Sequence, residues 1–304
     1  FPIPIILPLS KNLSKNLKQN MELFLYYNNK KVGSILVNSF FKINLSEHIN
    51  NLFGTQDQEH PGYKLLKNLG EWYVGGKINS FFPIKYKYSK YVISPDLCKK
   101  KIKELGLNTV AGFQTRNVPH RAHEYILLDA LKIVDGLLVH PLIGRKKKGD
   151  FLPDAVLNSY DFLIKKIYST KNIILAALTT YMRYAGPREA VFHALIRKNY
   201  GCTHFLVGRD HAGVKEFYSK YASQRICKKN ESKLGIKILI FNEPHLCKKC
   251  NKILNYNCNK CGSKYKINIS GTKIRNLIIK NKKIPAKFMR KLISDKLNQN
   301  SIIN

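Results

Sequence analysis

The middle of the sequence alternates short apolar runs with helix-like segments, and this pattern limits the possible folds more than any other feature. The apolar runs cover residues 109–113, 137–139, 173–178, 203–207 and 236–241. A helix is predicted between Gly186 and Gly201, because proline at position 187 suits a first helical turn and glycine suits the position after a helix end. Strands that alternate with helices indicate an α/β fold with a mostly parallel, doubly wound sheet. Ligands bind such sheets beyond the carboxyl ends of the strands.

A first polar turn follows the apolar run 109–113 and contains six candidate site residues. They are Gln114, Thr115, Arg116, Asn117, His120 and His123. A helix is predicted from Glu124 to Val134, so these side chains crowd a strand-to-helix turn, where backbone amides and the helix dipole favour an anion. Taken alone, the same residues also fit an ordinary surface loop rich in arginine and histidine.

A second polar turn, residues 208–213, follows the run that ends at Val207 and reads Gly-Arg-Asp-His-Ala-Gly. Its glycines allow the backbone to approach a ligand closely, and its arginine and histidine offer positive charge to phosphate. We expect both turns at the same edge of one sheet, where they would hold a nucleotide phosphate chain and a second anion. Residues 182–189 and 270–275 are weaker anion-site candidates. The basic stretch 145–149 lacks the ending of a phosphate loop, and we interpret it as a surface loop.

Four of the seven cysteines form two Cys-x-x-Cys pairs near the carboxyl terminus. They are Cys247, Cys250, Cys258 and Cys261. Four thiolates at this spacing can close a tetrahedral zinc site, whose role would be structural because no position is left for water. An iron–sulfur cluster and chance pairing are the alternatives. The isolated cysteines and the odd total indicate a reducing compartment rather than a disulfide framework.

The sequence divides into three predicted domains. Residues 1–87 contain β-like runs around an Asn-Asn turn and many turn signals, which predict a mostly β, barrel-like unit. The stretch from Lys85 to Tyr91 is a predicted linker. Residues 88–236 form the predicted α/β domain, and residues 237–304 form a small tail with the four cysteines and two basic helices.

The composition limits the partners only in part. The chain has 53 Lys and Arg against 19 Asp and Glu, a net charge of +34. Such a charge favours polyanions, but the lysines are scattered, and abundant Lys, Asn, Ile and Tyr also fit the amino-acid usage of an AT-rich genome. No run of about 18 uncharged apolar residues is present, so we predict no membrane span.

The two polar turns resemble the signatures of the ATP sulfurylase (sulfate adenylyltransferase) family. Four further segments are similar to that family: residues 53–62, 75–78, 184–190 and 269–275. The resemblance covers essentially the whole chain. It implies a nucleotidyltransferase-type α/β sheet after a PUA-like β-barrel whose beginning is missing, and no adenylyl-sulfate kinase region after the tail.

The resemblance implies a reaction in which sulfate takes the adenylyl group of MgATP, giving adenylyl sulfate and pyrophosphate. Sulfate is already ionised, so the site needs no general base and must instead hold two anions together. The implied sulfate-binding residues are Gln114, Arg116 and Ala212. The implied catalytic residues are Thr115, Arg116, Asn117, His120 and His123. The implied ATP-binding residues are Gln114, Thr115, Arg116, Asn117, Gly208, Arg209, Asp210, His211 and Ile240, the last beside the adenine.

The resemblance also implies Mg²⁺ with ATP, structural Zn²⁺ in the tail, and a cytoplasmic homo-oligomer without membrane or nucleic-acid partners. Some relatives have cysteine and histidine after the first Cys-x-x-Cys pair, whereas this chain has two further cysteines. Two alternatives stay open. One is a related nucleotidyltransferase with another acceptor, and the other is a zinc-ribbon nucleic-acid-binding protein, which the charge and the cysteines favour.

Overall fold

The amino-terminal part of the chain is an antiparallel sheet with helices beside it. The computed structural model describes residues 2–81, 87–214 and 216–303. The strands are β1 (Leu7–Leu9), β2 (Glu22–Tyr27), β3 (Lys30–Lys42) and β4 (Trp72–Ser80), in the spatial order β1-β4-β3-β2. The helices are α1 (Lys11–Asn16), α2 (Leu45–Phe53) and α3 (Pro61–Leu69). The predicted β-hairpin is confirmed, because Asn28 and Asn29 both adopt the left-handed backbone that a tight turn between β2 and β3 requires.

The unit predicted to be mostly β also contains the helices α1, α2 and α3, and several of its glycine and proline turn signals are helix caps. Gly54 ends α2 in the left-handed conformation (φ 68°), and Gly70 follows the end of α3. Pro61 lies in the first turn of α3, where the His60 ring accepts a hydrogen bond from the Gly62 amide. Glycine and proline occur both in turns and at helix ends. Only the apolar residues that a helix buries on one face show that these glycines and prolines belong to helix ends.

The middle of the chain forms the predicted parallel sheet. Its strands are β5 (Val110–Thr115), β6 (Gly136–Pro141), β7 (Ile173–Leu175), β8 (His204–Val207) and β9 (Lys237–Ile240). Its helices are α4 (Pro95–Glu104), α5 (Arg121–Ala130), α6 (Pro153–Phe162), α7 (Gly186–Asn199), α8 (Ala222–Lys229) and α9 (Glu231–Leu234). The spatial order is β7-β6-β5-β8-β9, and every pair is parallel. The chain order therefore reverses between β5 and β8, and this is the point where such sheets form a ligand crevice.

Several predicted boundaries differ from the structure. The helix α5 begins at Arg121 rather than Glu124, because the His120 ring caps it by accepting from the His123 amide. The sequence predicts a helix over residues 214–228, but α8 begins only at Ala222, because Tyr221 directly before it has a left-handed backbone (φ 63°). The strand β9 lies in the parallel sheet although it follows the boundary predicted at residue 236. Lys85 and Tyr86 of the predicted linker lie outside the described residues.

The tail is packed onto the parallel-sheet domain. Its strands β10 (His245–Cys247), β11 (Lys252–Leu254) and β12 (Lys266–Asn268) form an antiparallel sheet in the order β11-β10-β12, and its helices are α10 (Gly271–Ile279) and α11 (Lys291–Ser294). Ile274 and Phe288 share one hydrophobic core with Phe113 and Leu127 of the central domain. This packing fixes α10 against the carboxyl end of β5. Across the described ranges, no helix combines the length and apolarity needed to cross a membrane.

Candidate active site

The two polar turns meet at the carboxyl ends of β5 and β8, as predicted. They line a cleft of about 190 Å³ at the point where the strand order reverses. Its polar lining residues are Gln114, Thr115, Arg116, Asn117, His123, Asp210 and His211. Its apolar lining comes mainly from Phe113, Ile126, Leu206, Val207, Ala212 and Phe241. A cleft with cationic and amide donors at one edge and apolar walls elsewhere suits a ligand with both charged and aromatic parts.

The orientation of the Gln114 amide is set by a buried guanidinium. Arg197, on α7, is completely buried, and its Nη2 donates to Gln114 Oε1 (2.8 Å) and to the carbonyl of His140 (3.0 Å). A guanidinium has no acceptor, so the amide oxygen must face Arg197. The amide NH₂ of Gln114 is therefore left for the cleft, where it can donate to an anion.

Arg116 is held from two sides. Its Nη2 donates to the carbonyl of Gly213 (3.2 Å), and its Nε lies 3.6 Å from the Oδ2 atom of the buried Asp150. The Tyr184 hydroxyl donates to the same Asp150 oxygen (2.8 Å), which fixes the carboxylate in turn. Ala212, beside Gly213, is buried with φ at 57°, a backbone conformation that L-residues rarely adopt. The second turn is thus strained where its backbone faces Arg116.

His120 and His123 form a stacked pair at the start of α5. Their rings lie 3.7 Å apart at an interplanar angle of 21°. Because His120 Nδ1 accepts from the His123 amide, the proton of a neutral His120 is on Nε2. Burial lowers the pKa of His123 to about 4 and lowers that of His120 well below its usual value. Both rings are therefore neutral near pH 7, so each can donate a hydrogen bond but neither carries a positive charge.

His211 is supported by a chain of buried polar groups that the sequence did not reveal. His193 Nδ1 and His211 Nε2 are 3.0 Å apart, and His193 Nε2 lies 3.7 Å from Glu189 Oε1. Glu189 also accepts from the amides of Arg183 and Ala185. Burial lowers the pKa of His211 to about 3, so this ring is neutral too. Glu189 and His193 thus hold the His211 ring in one orientation at the cleft.

The helix α10 brings the weaker candidate 270–275 into the same site. Ser270 caps the helix by accepting from the Lys273 amide. Arg275 Nη1 donates to the Asn117 side chain (2.5 Å) and lies 3.7 Å from Asp150 Oδ1. A Cβ atom at Gly271 would lie 2.6 Å from the Asn117 side chain, so only glycine allows this approach. Asn117 is therefore fixed between its own turn and the tail.

Three of the predicted site residues are absent from the cleft lining: His120, which is buried beside His123, Arg209 and Ile240. Arg209 forms an ion pair with Glu243 (2.6 Å). Ile240 is 51% exposed, and its neighbour Phe241 lines the cleft instead. In the weak candidate 182–189, Arg183 is buried and donates to Thr180 and to the Tyr181 carbonyl. Ile240 is the last residue of β9 and Phe241 directly follows it, and the sequence alone could not choose between these neighbours.

The basic stretch 145–149, predicted to be a surface loop, is partly buried. Lys146 is only 8% exposed, whereas Arg145 and Lys148 are exposed. The loop is fixed by backbone bonds, from the Met182 amide to the Arg145 carbonyl and from the Gly149 amide to the Ile303 carbonyl. The prediction failed because charge alone does not tell which lysine of a run points inward.

The four tail cysteines converge as predicted. All four Sγ atoms lie within 4.8 Å of one another, with 3.5 Å between Cys250 and Cys258 and 3.7 Å between Cys250 and Cys261. Tetrahedral zinc with Zn–S bonds of about 2.3 Å places its ligands about 3.8 Å apart. The cluster therefore fits a four-thiolate metal site.

Comparisons with known proteins agree with this geometry. Residues 89–300 match the family model described as ATP-sulfurylase, and residues 1–82 match the model described as PUA-like domain. A sulfate adenylyltransferase from Ignicoccus hospitalis is 38% identical over 293 residues, which cover 96% of this chain and 76% of that protein. The sulfate adenylyltransferase from Pyrococcus abyssi is also 38% identical, over 95% of this chain and 75% of that protein.

One solved structure shares the fold. It is described as a hexameric APS kinase from Thiobacillus denitrificans and superposes with a TM-score of 0.71 at 16% identity, covering 97% of this chain and 52% of that one. At this identity the likeness concerns the fold alone.

Proposed function

Because the chain belongs to the ATP-sulfurylase family, we propose that it is a sulfate adenylyltransferase. A sulfate oxygen attacks the α-phosphorus of ATP. The bond from that phosphorus to the oxygen bridging to the β-phosphate breaks, and pyrophosphate leaves with the electron pair. Adenylyl sulfate is the other product, and the reaction is reversible.

The observation that carries this proposal is the pair of anion donors beside the second turn. Arg197 leaves the Gln114 NH₂ free, and Asp150 and Gly213 hold Arg116 in place. We assign sulfate to Gln114 and Arg116, with the Ala212 backbone closing its pocket. No base is required, since sulfate is ionised at neutral pH, and the site contributes position and charge.

We assign the triphosphate to the remaining residues of the two turns. Neutral His120 and His123 donate to the phosphates and to the charge that develops on the departing pyrophosphate. Thr115 and Asn117 form a closed turn, in which the Asn117 amide donates to Thr115 Oγ1 (3.1 Å), and this turn keeps Arg116 at the reacting centre. The segment from Gly208 to His211 contacts ATP. The adenine lies towards the end of β9, with Ile240 or Phe241 as its apolar wall.

ATP enters as its Mg²⁺ complex, so this metal is part of the substrate. We assign Zn²⁺ to Cys247, Cys250, Cys258 and Cys261, which would fix the tail without taking part in the chemistry. The homo-oligomer and the cytoplasmic location stay proposals. Light scattering of the purified protein measures the first. The alternative acceptors and the nucleic-acid-binding reading find no support in the comparisons.

The test of this function is ATP formation from adenylyl sulfate and pyrophosphate. The parent chain should make ATP, whereas Arg116→Ala and His123→Ala should lower the rate by about 100-fold or more, as expected when a donor to the reacting groups is lost. Arg225→Ala is the matched control, since Arg225 is exposed on α8 and lies outside both turns and the weaker candidate segments. A parent chain without activity, or variants that match it, would contradict the proposal.

A further inference from the structure

A lysine that nothing assigned to the site is buried behind Arg116. Lys146 is 8% exposed, and its Nζ atom is buried without a hydrogen-bond partner. A buried ammonium without a partner is costly, and such groups normally find a carboxylate or a ligand. Lys148, two residues later in the same loop, is exposed. Lys146 is therefore the lysine of this basic stretch whose ammonium is buried.

The charges around Lys146 do not balance. Arg116 and Arg275 both lie within 4 Å of Asp150, and in the described part of the chain Asp150 is the one carboxylate this close to either guanidinium. Burial lowers the pKa of Lys146 to about 8, with Asp150 opposing the shift and the charges of Arg116 and Arg275 adding to it. Two guanidiniums thus contact one buried carboxylate, and the Lys146 ammonium has no ion pair among the described residues, so an arriving dianion would restore neutrality.

The loop gives Lys146 little freedom to turn towards solvent. The next residue donates its amide to the Tyr184 hydroxyl (2.7 Å), and that hydroxyl donates to Asp150. The Asp150 amide is bonded to the Lys147 carbonyl, and the Asp150 carbonyl accepts from Ile303. The backbone that carries Lys146 is consequently fixed beside Asp150, the carboxylate that contacts Arg116.

We propose that Lys146 is a third cation for the tetrahedral oxyanion that Arg116 binds, so that the substrate's sulfate or phosphate is held by Arg116 and Lys146 together. The inference rests on the proposed function, because it takes its ligand from that reaction. In the absence of the anion, the three cations repel one another. The anion relieves this repulsion when it binds.

The test compares Lys146→Met with Lys148→Met, which removes the exposed lysine of the same loop. We expect Lys146→Met to raise one KM by about tenfold or more, the loss of one charge-assisted hydrogen bond. A rise confined to sulfate identifies the attacking anion, and a rise confined to ATP and pyrophosphate identifies the phosphates. Lys146→Arg should recover part of the loss, and Lys148→Met should match the parent.

Stability separates a binding role from a structural one. Lys146→Met removes an unpaired buried charge, so its Tm should equal or exceed that of the parent. A Lys146→Met chain that does not fold, or one that folds with parent KM values, would overturn the proposal.

Binding is also measured without turnover. Sodium sulfate or pyrophosphate should raise the Tm of the parent more than that of Lys146→Met. If the parent were inactive, the proposed function would fail, while this comparison would still decide whether Lys146 binds an oxyanion. Equal shifts in both chains would overturn the inference alone.

Discussion

At the scale of single residues, the site depends on charged groups buried without a partner of opposite charge. Arg197 is the largest fully buried side chain among the described residues, and it donates to carbonyl oxygens and to Gln114 rather than to a carboxylate. Burial lowers its pKa to about 9. Burying a charge in this way costs stability. What the protein gains is one fixed orientation of the Gln114 amide.

This arrangement predicts opposite effects of Gln114→Glu on stability and on activity. The new carboxylate would pair with Arg197 and raise the Tm, because a buried charge gains its counter-ion. Its second oxygen would face the cleft and repel sulfate, so the KM for sulfate should rise by about 100-fold or more, the usual effect of placing like charges together. Calorimetry and steady-state kinetics measure the two effects.

Gln114→Met is the matched control, since it removes the donor without adding charge. It should raise the KM for sulfate by about tenfold and should not raise the Tm. A Gln114→Glu chain that keeps the parent KM would mean that the amide NH₂ does not face sulfate.

At the scale of elements, the tail helix α10 completes the site from outside the parallel sheet. Gly271→Ala should push the Asn117 side chain away, because the added methyl would lie 2.6 Å from it. We expect kcat to fall by about tenfold or more, as is usual when a reacting group is displaced by about 1 Å. Asn276→Ala, on the exposed side of α10, should leave kcat unchanged. Equal kcat values for Gly271→Ala and the parent would show that α10 does not position a group that takes part in the reaction.

The four tail cysteines predict that the stability of the tail depends on a bound metal ion. One zinc per chain is expected by elemental analysis, and removal by a chelator should lower the Tm, because the short strands β10–β12 bury little apolar surface. Cys258→Ser should lose the zinc, whereas Cys98→Ala, away from the cluster, should keep it. A metal-free chain with the Tm of the parent would refute this assignment.

The sequence predicted whole elements better than it predicted buried polar residues. The alternation of strands and helices is a repeated signal, so the parallel sheet and the meeting of the two turns were both predicted. Arg197 and Lys146 were missed, because a single arginine in a helix or one lysine in a basic run looks exposed in a pattern. Gly54 and Gly70 were interpreted as turns of a β unit, because glycine is common both in turns and directly after helix ends. Each of these wrong predictions would have required knowing which side of a helix, strand or loop is buried.

At the scale of the molecule, a net charge of +34 is carried by a fold that buries neutral histidines. Those in the central domain are His120, His123, His140, His193, His204 and His211, and burial is the largest cause of the lowered pKa of each. In the unfolded chain these histidines titrate near pH 6.5. Below that pH the unfolded state binds more protons than the folded state. The stabilisation is therefore complete above pH 6.5 and is lost as the pH falls.

We predict that the free energy of unfolding falls steeply between pH 6.5 and pH 5. Each histidine that stays neutral in the folded state contributes about 1.4 kcal/mol per pH unit, and Glu189, whose pKa is raised by burial, offsets part of one such contribution. Denaturant unfolding at each pH measures the slope. Repeating the series in about 0.5 M salt screens the repulsion among surface lysines but not the buried rings. A slope that disappears in salt would assign the effect to the net charge, and one that persists would assign it to the histidines.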